Sequence, residues 1–239
     1  MTNTGIRYVA GCVMLALVTA CGSSTKPQPA MPAAELRTHL LPAALPDGWT
    51  SVAEPKDEKP KRTAAASATP PSCTDLLDGQ SVVDASTTGS SASATAMFSG
   101  GHSVGNGVIP GTETLYSFPG DGAHQAMQDM RNLVGRCRSV ELPHASWEPA
   151  ETAGFAVAEG PRLGDESLVI HATVTAGATS TAGDPQSADA TVVRVGSSLV
   201  VISSVLSLTR AEADAVAAFM PVAVEQIKSN HPKPVDAGS

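Results

Sequence analysis

The chain has 239 residues, a formal net charge of -8 and only 3% aromatic residues. At roughly 150 residues per domain, that length predicts one domain with appendages, its core built mostly from Val, Leu and Ala. The acidic balance argues against nucleic acid, which needs a basic footprint. With a single hydrophobic run, at the N-terminus, the chain is not polytopic.

Residues 1–21 read MTNTGIRYVAGCVMLALVTAC, with Arg7 as the only charge. The apolar stretch Tyr8 to Val18 is too short for a spanning helix, which takes about 20 apolar residues. It has the length of a secretory h-region. Leu17-Val18-Thr19-Ala20-Cys21 follows and resembles the lipobox of bacterial lipoproteins, with Val18 where Leu is commonest. The resemblance implies that residues 1–20 are removed and that Cys21 carries a diacylglyceryl group. It also implies a palmitate-type acyl anchor on the outer face of the cell membrane. Removing residues 1–20 takes away Arg7 and no acidic group, so the net charge moves from -8 to -9. Anionic lipids would not hold so acidic a domain; acyl chains must.

Of the four cysteines, Cys12 goes with the signal and Cys21 takes lipid. Cys73 and Cys137 remain, an even pair in an exported chain, and predict one disulfide. Two free thiols is the bland alternative, and a zinc site lacks the paired spacing.

Residues 21–34 read as a Pro- and Ser-bearing tether. Residues 35–45 suggest a short helix interrupted at Pro42, and Pro46-Asp47-Gly48 a turn before Trp49. Residues 53–71 read as an exposed loop. Ser72 and Asp75 form a variant capping box at the start of a short helix. Strands are expected at 92–99 and 112–118, joined by the glycine-rich 100–111. Residues 122–137 predict a helix with Ala123, Met127, Met130, Val134 and Cys137 on one face. Alternation at Leu168, Ile170, Ala172 and Val174 predicts a strand, and 177–188 a polar loop. Thr191–Val195 and Leu199–Val205 predict a hairpin. The last helix opens on Thr209 and Glu212, a capping-box pattern. Ala213, Val216, Ala217, Met220, Val224 and Ile227 share its apolar face, and Pro221 should kink it. Residues 230–239 read as a disordered tail.

Consecutive strands with helices between groups argue for an α+β fold: a single domain over 35–229 with an antiparallel twisted sheet flanked by helices.

The order of elements resembles the extracellular sensor-like domain of the actinobacterial kinase PknH and of lipoproteins such as LppH. The carriers are Leu40-Leu41-Pro42, Leu45-Pro46-Asp47-Gly48-Trp49, Ser72-Cys73, the Tyr116 strand and the helix ending in Cys137. Gly164-Asp165-Glu166 and Arg194-Val195-Gly196 complete them. The resemblance implies a ligand cleft on a sheet flanked by helices. The kinase domain is thought to hold two disulfides, and this chain has cysteines for one. Direct phosphorylation signalling does not carry over.

Gly101-His102-Ser103-Val104-Gly105 matches the G-x-S-x-G nucleophile elbow, which needs a strand before it and a helix after it. A strand precedes it, but Asn106-Gly107-Val108-Ile109-Pro110-Gly111 is no helix. Asp165 and His171 follow in triad order, yet six residues of strand separate them by roughly 20 Å. The bland reading is a hairpin loop. His39, His102, His124, His144, His171 and His231 show no metal-site spacing, and no cofactor fingerprint is present. Gly164-Asp165-Glu166 reads as a turn with solvated charge, and Trp49 and Trp147 as core. The expected function is therefore non-catalytic: a membrane-anchored sensor or binding module. Its partner would be a small molecule, a lipid or an envelope protein, with loops 100–111 and 177–188 at the cleft rim. The rivals are a secreted serine hydrolase using Ser103 and a structural envelope protein.

Overall fold

Leu199-Val200-Val201-Ile202 is apolar on both alternating faces, and such a strand is stable only where both faces are covered. In the computed structural model all four residues are at most 2% exposed. The structure describes residues 29–54, 70–78, 80–100, 111–142, 151–176, 186–204 and 210–229. The strands are β1 (Thr50–Ala53), β2 (Ala92–Ser99), β3 (Gly111–Ser117), β4 (Ser139–Glu141), β5 (Glu151–Glu159), β6 (Glu166–Ala176), β7 (Gln186–Val195) and β8 (Ser198–Ser204). The helices are α1 (Ala33–Leu36), α2 (Cys73–Leu77), α3 (Val82–Ser86), α4 (Gly122–Arg136), α5 (Arg210–Ala217) and α6 (Met220–Ser229).

The eight strands form one sheet in the order β1-β2-β3-β8-β7-β6-β5-β4, and every neighbouring pair is antiparallel. Side-chain alternation splits the core in two. Val200 and Ile202 join one apolar cluster with Phe98, Leu115, Val193, α1, α5 and α6. Leu199 and Val201 join a second with Leu168, Ile170, Val192 and α2–α4. The fold is thus α+β, an antiparallel sheet flanked by helices on both faces, as the strand grouping predicts. Among the described residues no helix is long and apolar enough to cross a membrane.

The α4 face is the predicted one: Ala123, Met127, Met130, Val134 and Cys137 are all buried, joined by Ala126 and Leu133. Asp75 accepts hydrogen bonds from the Ser72 N–H and hydroxyl at 2.7 and 3.0 Å, closing the capping motif before α2.

Several elements depart from expectation. The 35–45 segment is one turn of α1 and a 3₁₀ turn (Arg37–His39), and the chain then runs extended to a bridge between Ala44 and Thr50. Ala53, expected in a loop, ends β1. The rest of that loop, 55–69, lies outside the described residues, as do the tether up to residue 28 and the 230–239 tail. β7 starts at Gln186, five residues before the predicted hairpin arm. The final helix is two helices, not one kinked helix. Pro221 occupies the first turn of α6, where its missing N–H costs nothing, and buried Phe219 fills the break. Ala217 is exposed, and Ala223 takes its place in the core. The Thr209 cap lies outside the described residues.

Candidate functional site

Ser81 caps α3 by accepting the Asp84 N–H at 3.0 Å. The short helix then runs into a turn at Thr87–Ser90 that feeds β2. Opposite it, β3 ends at Ser117, and Phe118-Pro119-Gly120-Asp121 turns the chain into α4. These two turns and the segment before α2 enclose an open cavity of about 330 Å³. Pro70, Pro71, Phe118, Pro119 and Ala126 supply its apolar wall. Ser86, Thr88, Gln125 and Asp129 supply the polar groups. Gln125 donates to Asp129 at 2.9 Å, which fixes both side chains. Ser86 is 5% exposed, and among the described residues its hydroxyl has no hydrogen-bond partner. A buried hydroxyl without a partner costs on the order of 1–3 kcal/mol.

Register places the strand ends that flank the expected rim loops away from this cavity. Gly111 pairs with Ser204, Ser203 with Ala190, and Asp189 with His171. The connections 101–110 and 177–185 therefore leave from that end of the sheet, while the cavity sits at the opposite end of β2 and β3. Both connections, and with them Ser103, lie outside the described residues.

A second polar cluster ties β6 to α4. Glu166 bonds Arg131, the His124 Nδ1 at 3.1 Å and the Arg194 Nε at 3.3 Å. Burial pushes its carboxyl up, but the hydrogen bonds from Arg131, His124 and Arg194, with the Arg131 charge, hold it below the usual range. Asp165 accepts the Gly196 N–H at 2.7 Å and Arg194 Nη1 at 3.4 Å. Asp165 is exposed beside the positive-φ Gly164, as the reading of a turn with solvated charge has it, whereas Glu166 is mostly buried and ties β6 to β7 and α4, which corrects that reading at this residue.

The remaining sequence candidates are dispersed. His171 does not meet Asp165; its Nδ1 lies 2.7 Å from Asp189 Oδ1. Ser204 stands on the same rung but on the far side of Asp189. Its hydroxyl accepts the Asp189 N–H at 2.9 Å and donates to the Asp189 carbonyl at 3.3 Å. His39 is buried, with Nδ1 3.1 Å from the Gln226 carbonyl. Trp49 is core, edge-on to Phe219 at 5.7 Å; Trp147 and Cys21 lie outside the described residues. Cys73 and Cys137 are joined in a disulfide with Cα atoms 5.6 Å apart. Among the described residues no group of three or more His, Cys, Asp or Glu is placed to hold a metal ion.

Ser86 escaped the sequence reading because α3 has only five residues, too few to show a helical period. The signal that could have found it is the Ser81-x-x-Asp84 cap.

No family model and no curated protein matches the chain. The extracellular domain of PknH from Mycobacterium tuberculosis is similar over 59% of this chain, at 15% identity and a TM-score of 0.40. The similarity covers 66% of that domain, just under two thirds, and is a weak likeness of fold.

Proposed function

We propose that this chain is a lipid-anchored extracytoplasmic binding module, held at the membrane through Cys21, whose ligand occupies the cavity between the α3 turn and α4. The observation that carries the reading is a cavity of about 330 Å³ whose lining includes Ser86, a residue with a buried hydroxyl that has no partner among the described residues. Its volume lies at the small end of the roughly 300–1,000 Å³ typical of ligand sites. The apolar wall and the polar rim suit a small amphipathic molecule, and Asp129 disfavours an anion. A cell-wall fragment matches that chemistry better than a fatty acid does. The Cys73–Cys137 disulfide supports an oxidising compartment, and the lipobox supports the anchor.

Two experiments test this. Cys21→Ala should move the protein from the membrane fraction to the soluble fraction and change its N-terminal mass; an unchanged distribution and mass removes the anchor. Native mass spectrometry of the natively purified chain should show a co-purifying small molecule. Gly89 lines the cavity, and a Cβ there meets nothing within 4 Å. Gly89→Phe should therefore fold normally and lose the bound molecule. No bound mass in the native chain, or an equal one in the variant, rejects the cavity as the site.

One observation favours a second reading, a serine hydrolase using Ser103: Asp189 orients the His171 ring as a general base requires. The connection carrying Ser103 leaves β2 and enters β3 at the same end of the sheet. Labelling by a serine-directed fluorophosphonate, lost in both Ser103→Ala and His171→Ala, would replace the binding reading.

A further inference from the structure

Along β3, Glu113 shares its face with Leu115 and points into the cluster of Phe98, Ile202 and the N-terminal residues Leu40, Leu41 and Leu45. It is fully buried. Its Oε2 accepts the Leu41 N–H at 2.8 Å, and among the described residues its Oε1 has no partner. Leu41 belongs to a strap, residues 31–49, laid across the sheet. The strap is tied by the Met31 N–H to Ser117 Oγ at 2.6 Å, by His39 to the Gln226 carbonyl, and by this one bond to a carboxyl.

We propose that Glu113 is a proton-operated latch for the N-terminal strap: protonated, it holds the strap on the sheet, and ionised, it drives the strap toward an open, hydrated state. The physical basis is the cost of an uncompensated charge among apolar side chains. Among the described side chains, the surrounding elements supply no counter-charge. The facing residues of β2 and β8 are Ala94, Ala96, Phe98, Val200 and Ile202. On the strap, Arg37 donates outward to the Glu54 carbonyl at 2.6 Å, Glu35 is exposed, and His39 engages α6. On α6, Glu225 and Lys228 pair with each other at 3.1 Å on the exposed side. The charged residues of α5 are Arg210, Glu212 and Asp214, and Asp214 is exposed.

Burial pushes the Glu113 carboxyl up from 4.5 to about 7, only partly opposed by the Leu41 N–H. The closed state therefore binds the proton more tightly than the open one. Closure is strongest at low pH and weakens as pH rises from about 4.5 through about 7. The strap leads directly to the segment that follows Cys21, so the latch would couple external pH to how the domain hangs from its tether. It is independent of the cavity and of any ligand.

Hydrogen–deuterium exchange on the full chain tests the latch. After correction for intrinsic exchange, protection of residues 31–49 should fall roughly 20-fold between pH 5.5 and 7.5, with α4 unchanged. In Glu113→Gln, which keeps an acceptor for Leu41, the strap should show no such dependence. An equal pH response in the variant, or none in the native chain, overturns the proposal. Should the variant fail to fold, the Leu41 amide of the native chain decides by NMR. A titration midpoint near 7 supports the latch, and a flat response from pH 5 to 8 defeats it.

Discussion

Replacing Cys73 and Cys137 together by Ala is expected to lower stability by about 4 kcal/mol, the chain-entropy figure for a cross-link across 64 residues. The local structure says where the loss appears first. α2 has five residues, far below the length at which a helix holds itself. Cys73, its first residue, is covalently fixed to Cys137 at the C-terminal end of α4. Arg136 adds a single bond to the Pro71 carbonyl at 2.6 Å. Without the cross-link, α2 and the wall residues Pro70 and Pro71 should loosen before the sheet does. Urea unfolding of the double variant, beside the native chain with and without reductant, gives the global number. Exchange protection of 72–86 gives the local one. A midpoint within error of the native chain would show that the cross-link adds nothing.

How much of this was legible in the sequence depends on side-chain size and element length. α4 and β8 were readable because Met, Leu, Val and Ile recur at helical or strand spacing over many residues. β5 was not, although its odd positions Ala153, Phe155 and Val157 alternate with Gly154, Ala156 and Ala158. Small residues on both faces flatten the contrast that alternation depends on. Glu113 was readable in principle. In Thr112-Glu113-Thr114-Leu115 the strand period sends Glu113 to the same face as Leu115, so a buried acid follows once Leu115 is placed in the core. The cavity was not readable, since its wall comes from two turns, the segment before α2 and the start of α4, pieces distant in sequence that only the tertiary fold brings together. The break before α6 shows the opposite limit. Pro221 signalled a disturbance correctly, but whether a proline kinks a helix or starts a new one depends on tertiary packing, here the burial of Phe219.

Phe98→Ala is expected to cost about 3–5 kcal/mol, the usual range for deleting a fully buried aromatic ring. Phe98 is 0% exposed and stands edge-on to Phe219 at 5.4 Å, and Phe219 in turn stands edge-on to Trp49. The ring therefore joins the sheet, the α5–α6 break and the start of β1. Collapse into the void is opposed from the β3 side, where Gly111 faces Phe98 in register. A Cβ on Gly111 would meet the Ser203 carbonyl at 2.5 Å and Val216 Cγ1 at 2.8 Å, so that backbone is already at closest approach. With little room to relax, the cost should fall toward the upper end of the range. Phe155→Ala is the control, because Phe155 is only partly buried against the other cluster and should cost clearly less. Guanidinium unfolding of both variants measures the difference, with Trp49 emission reporting the Phe98 side in a Trp147→Phe background. Equal losses at the two sites would show that the aromatic contact between sheet and helices is not what organises this face of the core.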